Sequence, residues 1–244
     1  MTYLSQKITK ATYEGPDSDN TLNFEMEASL ENTTESVIEL IKTNVLFVNS
    51  DGVCVCGNQE DEHEVFIDAN GTESINVNCG WNNNATGFNG KLDNIKAILD
   101  TQLYRREFHN LGNVKIPGSH EEAAFFTKGI DIAGLVQILG ATCTRKKNDE
   151  DGEVDVGFVI GIRNVSDQYF DRVQVNFTLN DQAGAEIDRT EDYHPLPPQT
   201  GRVFEPSLYR LKPGRLRNCV GKLTVHIFQP VAYHSATTIL TKAE

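Results

Sequence analysis

The strongest constraint on how this chain can fold is that one segment occurs in it twice. From Leu22 to Asn32 the sequence LNFEMEASLEN alternates without a break, with Leu22, Phe24, Met26, Ala28 and Leu30 in one phase. Period two over that length requires a strand with one face buried and one face wet. The segment VDVGFVIGIRN lies 132 positions further on (Leu22 to Val154). It puts Val154, Val156, Phe158, Ile160 and Ile162 in the same phase, and Asn164 matches Asn32.

The match extends at the same offset. Val37-Ile38 aligns with Tyr169-Phe170, and Ile41, Val45 and Phe47 align with Val173, Phe177 and Leu179; Asn44 falls on Asn176 and Gly52 on Gly184. A glycine between two strands supplies the positive φ of a hairpin turn. Upstream, Ile8 and Ala11-Thr12 match Ile138 and Ala141-Thr142 at an offset of 130; near the end of each copy, Ile95, Ala97 and Leu99 alternate as Leu223, Val225 and Ile227 do. Each copy offers about seven short strands with turn signals roughly every 8–12 residues, the pattern of an antiparallel sandwich. The expected fold is all-β: two tandem immunoglobulin-like sandwiches over 1–107 and 137–244, joined by a connector over 108–136. Plentiful Asn, Thr, Val and Ile, with two Met and one Trp, favour strands and turns over helices.

In the connector, Ser119-His120-Glu121-Glu122 reads as a capping box ahead of Ala123, Ala124, Phe125 and Phe126, with Gly129 as a stop. A short helix is expected, although Phe125 and Phe126 are equally able to begin a strand. Two adjacent Phe residues call for burial against one or both sandwiches, which would fix their relative angle.

Composition narrows the function. The net charge is −13, unevenly spread: residues 1–115 hold 18 acids and 8 bases, residues 116–244 hold 17 and 14. Such a chain repels nucleic acid and anionic membranes at long range, and no apolar run approaches the ~20 residues of a membrane span. The N-terminus lacks the apolar core and small-residue site of a signal peptide. A cytoplasmic protein is expected, or an envelope or secreted one if a leader has been removed. Five cysteines, odd in number and sparse, argue against a disulfide framework. The N-x-S/T sequons at Asn32, Asn70, Asn84, Asn164 and Asn176 are explained by chance in so Asn-rich a chain, and Asn176 falls inside an expected strand.

The second copy reads V-G-x-x-x-G-x-x-N-V-S, then VQVNFTLNDQAGAEI, then PLPPQTGRVFEP. This resembles the bacterial FxLYD-type module, an immunoglobulin-like sandwich, with Phe177, Leu179 and Asp181 on the F, L and D positions and Asn180 in place of the Tyr. The first copy keeps the apolar phase through Val45-Leu46-Phe47-Val48-Asn49 but lacks the aromatic and the Asp. The resemblance implies a fold and an accessory or envelope-associated role with no assigned chemistry.

Candidate chemistry is sparse. Cys54-Val55-Cys56 puts two thiols on one side of a strand, within reach of Cys79 or His63 for a soft metal. A zinc pair normally has two to four residues between its cysteines so that a turn converges them; buried structural thiols are therefore expected. The acidic loops Gly15–Asn20 and Asn148–Gly152 begin a calcium cage in composition but lack a bidentate acid at the right remove, so solvated turns are expected. The six histidines stand apart from any nucleophile motif. No cofactor and no catalytic residue is expected.

One charged cluster stands out: Arg210, Lys212, Arg215, Arg217 and Lys222 crowd the last hairpin of the second copy around Pro213-Gly214. It reads as an anion or acidic-partner patch, as a solvated loop, or as a basic edge facing the acidic first copy in cis or in a dimer. Together these features describe a non-enzymatic binding or structural protein whose partner is another protein or a second copy of itself. The alternative is a calcium- or carbohydrate-dependent surface-associated binding protein.

Overall fold

The period-two segments are strands in the computed structural model. It describes residues 3–19, 21–63, 67–82, 94–118, 123–126, 129–147 and 152–243. In chain order the first strands are β1 (Leu4–Glu14), β2 (Thr21–Asn32), β3 (Leu40–Val48), β4 (Cys54–His63), β5 (Thr72–Asn82) and β6 (Lys96–Lys115). There follow β7 (Ala123–Phe126), β8 (Ile130–Ile132), β9 (Val136–Lys147), β10 (Val154–Asn164), β11 (Phe170–Asn180) and β12 (Glu186–Leu196). The last are β13 (Gly201–Phe204), β14 (Ser207–Leu211), β15 (Val220–Ile239) and β16 (Thr241–Lys242), with one 3-10 turn at Pro213–Leu216. The protein is all-β, and it is built as two immunoglobulin-like sandwiches.

Unit 1 comprises Met1–Arg105 and Pro230–Glu244; unit 2 comprises Arg106–Gln229. One sheet of unit 1 has the order β16-β1-β2-β5, and the other runs β4-β3-β6-β15, counting only the parts of β6 and β15 that belong to it. In unit 2, one sheet runs β13-β10-β9-β7, with β14 also on β10 and β8 also on β9; the other runs β12-β11-β15-β6. Unit 1 is thus completed by part of β15, which the repeat assigns to the second copy, and unit 2 by the part of β6 beyond Arg105, most of which falls in the expected connector. The strands β6 and β15 are both 20 residues long, and their starts lie 124 apart (Lys96 and Val220). The chain changes unit after Arg105 and after Gln229, again 124 apart. Residues 230–244, expected in the second module, therefore complete the first unit.

The inner faces follow the alternation. Leu22, Phe24, Met26, Ala28 and Leu30 of β2 are buried in the unit 1 core with Phe47, Ala97 and Leu99. Val154, Val156, Phe158, Ile160 and Ile162 of β10 are buried in the unit 2 core with Val173, Phe177, Leu179 and Leu223. Phe24 stacks on Phe47 with ring centroids 5.2 Å apart, and Phe158 meets Phe177 edge-on at 4.5 Å, arrangements favoured by the ring quadrupole. Val45 pairs with Leu99, and its counterpart Phe177 pairs with Leu223. The register therefore equates Leu99, not Ile95, with Leu223, four residues from the sequence alignment and in the same phase.

Two asparagines do matching work. The Asn32 amide donates to Ser36 O (2.7 Å) and Ile67 O (3.1 Å), and its oxygen accepts from Thr34 N (3.0 Å) and Thr34 Oγ1 (2.8 Å). The Asn164 amide donates to Gln168 O (2.7 Å) and Leu196 O (3.1 Å), and its oxygen accepts from Ser166 N (2.9 Å) and Ser166 Oγ (2.7 Å). Both side chains are fully buried, which removes these two sequons as glycan sites. The β3–β4 and β11–β12 turns also match. Asn49 and Asp181 each bond a backbone N–H four residues on, and Gly52 and Gly184 take φ of 79° and 85°.

The connector corrects one expectation. Ala123–Phe126 is a strand rather than a helix, paired with β9 from Ala123–Thr144 to Phe126–Ala141. Four apolar residues suit either conformation, and the edge of β9 offers backbone partners that an isolated helical turn lacks. The capping box at 119–122 lies outside the described residues. Among the described residues there is no α-helix, and no helix is long and apolar enough to cross a membrane.

Candidate functional site

Unit 2 holds a cleft of about 940 Å³ where several separate segments end. Lys115 closes β6, and Pro117-Gly118 follows it. Arg145 comes from β9, Asp181 and Gln182 from the β11–β12 turn, Arg217 from just after the 3-10 turn, and Lys222 from the start of β15. Arg145 is held in place: its Nη1 donates to Pro117 O (3.2 Å) and Gly118 O (3.1 Å), while its buried Nε has no hydrogen-bond partner. Lys222 stands opposite Thr178 on β11.

The charge at this cleft runs against that of the chain. Among its described lining residues, four bases (Lys115, Arg145, Arg217, Lys222) face one acid, Asp181. One Asp181 carboxylate oxygen accepts from Ala185 N at 2.9 Å and fixes its own turn. No ion pair engages any of the four bases among the described residues. The rest of the lining supplies Asn113, Asn180, Gln182 and Asn218, whose amides both donate and accept.

A nucleophile is not offered there. Cys219 is buried, its Sγ donates to Arg215 O (2.7 Å), and burial followed by the Asp181 charge pushes its thiol pKa up. A reactive cysteine requires the opposite shift.

The structure divides the basic cluster seen in the sequence. Arg217 and Lys222 line the cleft, whereas Arg210, Lys212 and Arg215 do not. Arg210 sits at φ 58° with its N–H donating to Asp155 Oδ1 at 3.0 Å. Lys115 and Arg145 join from segments roughly seventy to a hundred residues upstream. The signals that could have pointed to them were the run Arg145-Lys146-Lys147 and the isolated base before Pro117.

The other candidates are placed as follows. Cys56 and Cys79 form a disulfide joining β4 to β5, one strand from each sheet of unit 1, with Cα atoms 6.6 Å apart. This corrects the expectation of buried thiols: Cys54 is exposed, and Cys56 and Cys79 are half-buried against the unit 1 core, with a register irregularity between Phe47–Cys56 and Val48–Cys54. Asp17 Oδ1 accepts from Asp19 N (2.9 Å) and Thr21 N (2.8 Å), so the first acidic loop is a turn held by its own backbone. The second, at 148–151, lies outside the described residues. Among the described residues no three His, Cys, Asp or Glu side chains gather as a metal site.

A second polar cluster lies on the β11–β15 face of unit 2. The Asn176 amide lies 3.2 Å from His226 Nε2, Thr224 Oγ1 lies 3.5 Å from that nitrogen, and Gln174 Nε2 donates to Asn176 Oδ1 (2.7 Å) and Glu191 Oε2 (2.6 Å). The Arg172 guanidinium stacks on the Tyr193 ring at 4.2 Å. Burial, then the Arg106 and Arg172 charges, hold His226 down to about 4. A base that weak is poorly matched to taking a hydroxyl proton near neutral pH. The cluster fixes strands to one another.

No family model matches the chain, and no curated protein matches it. Among solved structures, red sea bream transglutaminase aligns at a TM-score of 0.30 with 11% identity; the alignment covers 100% of this chain but spans only 32% of the transglutaminase. A Mobiluncus mulieris adhesin with intramolecular cross-links aligns at 0.29 with 9% identity, over 84% of this chain and 76% of the adhesin. An Archaeoglobus fulgidus protein aligns at 0.24 with 15% identity, over 41% and 79%. Matches at these scores carry no functional argument.

Proposed function

We propose that the protein is a non-enzymatic binding protein whose unit 2 cleft receives an acidic segment of a partner protein. The observation that carries this reading is the convergence of Lys115, Arg145, Arg217 and Lys222 on one cleft with no ion pair among the described residues. Single exposed pairs contribute little. Four bases around one concavity focus the field and raise both association rate and selectivity for negative charge.

The chain's net charge of −13 opposes any polyanion at long range. It opposes nucleic acid most, since duplex DNA carries about one charge per 1.7 Å. An acidic peptide presents a lower charge density and carbonyl groups that the cleft amides can bond.

The test is fluorescence anisotropy with a labelled Asp/Glu-rich peptide, a lysine-rich control and an oligonucleotide of equal charge. Binding of the acidic peptide is expected to fall by about tenfold or more, about 1.4 kcal/mol or more, in the K115E/R217E variant, and to weaken with salt. Unchanged binding in that variant, or a preference for the oligonucleotide, would overturn the reading.

A further inference from the structure

Unit 1 is completed by residues 230–244, which enter it after Gln229. We propose that this segment exchanges between molecules, so that unit 1 of one chain is closed by residues 230–244 of a second copy. This self-association surface is separate from the basic cleft, all of whose lining lies in unit 2.

The segment is seated by few side chains. None of residues 230–239 is buried, and the first buried apolar group is Leu240. Inward positions hold small or polar residues: Ala232, His234, Ala236 and Thr238. His234 Nε2 is a buried nitrogen with no hydrogen-bond partner, a group that costs free energy to hold in place. Val231, Tyr233 and Ile239 are 40%, 62% and 58% exposed. The counterpart that closes unit 2 buries Leu111, Val114 and Ile116 in that unit's core. Pro230, at the change of unit, has no N–H to donate to a neighbouring strand.

What does hold the segment is mostly backbone. Leu240 N donates to Ile95 O (2.8 Å), Ala243 N donates to Tyr13 O (2.9 Å), and Gln102 Nε2 donates to Ala232 O (2.7 Å). The pairing Thr12–Thr241 and Tyr13–Lys242 adds a short parallel contact. Every one of these bonds can be made by the same residues of another chain. Exchange therefore breaks and remakes an identical set. The balance is set by chain concentration against the effective concentration of the tethered segment. Withdrawal without replacement leaves an open strand edge on β6, and only an extended segment of matching pattern satisfies it.

The test uses two preparations of the full chain with different affinity tags, mixed at high concentration and held a little below the melting temperature. Oligomers carrying both tags are expected to accumulate slowly. Excess synthetic peptide of residues 230–244 is expected to suppress them by about tenfold, while the same peptide carrying L240D leaves them unchanged. Absence of doubly tagged species, or doubly tagged species that the peptide does not suppress, or equal suppression by both peptides, would overturn the proposal. Binding of an acidic peptide to the unit 2 cleft is unaffected by any of these outcomes, so the two readings fail separately.

Discussion

The strands that close the two units differ in how they are held. Residues 106–118 enter unit 2 with Leu111, Val114 and Ile116 buried, and Ile116 lies where a Cβ added at Gly221 would meet it at 3.2 Å. Residues 230–244 enter unit 1 with Leu240 as their buried anchor, Ala232 half-buried against the core, and otherwise hydrogen bonds. Unit 1 instead gains a link of another kind, the Cys56–Cys79 disulfide between its sheets, whereas Cys143 and Cys219 of unit 2 are free. The difference separates two ways of finishing one fold. In one, closure is part of the core; in the other, closure is a seated strand and a covalent clip holds the sheets. The basic cleft, whose four bases make no ion pair among the described residues, lies in unit 2.

The sharpest way to strain this contrast is to damage each core. Phe177→Ala removes a fully buried ring in contact with Phe158 and is expected to cost about 3–5 kcal/mol, unfolding unit 2 before unit 1 in a chemical denaturation followed by hydrogen exchange. Cys79→Ser is next, at about 2–4 kcal/mol, and it acts on unit 1, where the single tryptophan, Trp81, reports. An equal loss of protection in unit 2 would show that the clip is not local.

The matched asparagines test what the units share. Asn32→Ala and Asn164→Ala each remove the amide's bonds to buried carbonyls and leave a backbone N–H, of Thr34 or of Ser166, without its side-chain acceptor, with an expected cost of about 1–3 kcal/mol. The two costs should agree closely, read as shifts in urea midpoint for each unit. A cost in one copy and not the other would break the equivalence.

The smallest expected effect is a pH dependence confined to unit 2. Burial holds His226 down to about 4, while the unfolded chain takes up that proton near 6.5. Between those values the unfolded state binds more protons, so unit 2 loses stability as pH falls from about 6.5 toward 4, and this group contributes no slope above that window. His226→Gln should flatten that part of the melting-temperature profile; an unchanged profile would remove the histidine from the explanation.

Much of the scaffold was legible in the sequence, and the reason is physical. Strict alternation in Leu22–Leu30 and Val154–Ile162 dictates strands, and Gly52 and Gly184 mark the turns because their φ is positive. Alternation shows that a strand exists, not which strand it joins. That is why residues 108–118 read as connector although they close unit 2, and 230–244 as part of the second module although they close unit 1. The run Ala123–Phe126, open to helix or strand in the sequence, is a strand because its conformation is decided by the waiting edge of β9, which lies later in the chain.

Half of the site was legible. Arg217 and Lys222 were visible as part of a local cluster, but Lys115 and Arg145 join them only through folding. Arg210, Lys212 and Arg215 are neighbours in sequence that the turn carries away from the cleft. The Cys56–Cys79 bridge escaped for the same reason as Arg145: its two ends lie 23 residues apart on strands of different sheets.

That residues 230–244 close unit 1, although the repeat places them in the second copy, is tested most directly by hydrogen exchange on a chain lacking them. Loss of protection in β1 and in the first half of β6, around Ile95–Leu103, with unit 2 retaining its protection, is the predicted result. Loss of protection in β11 and β12, with unit 1 intact, would contradict it.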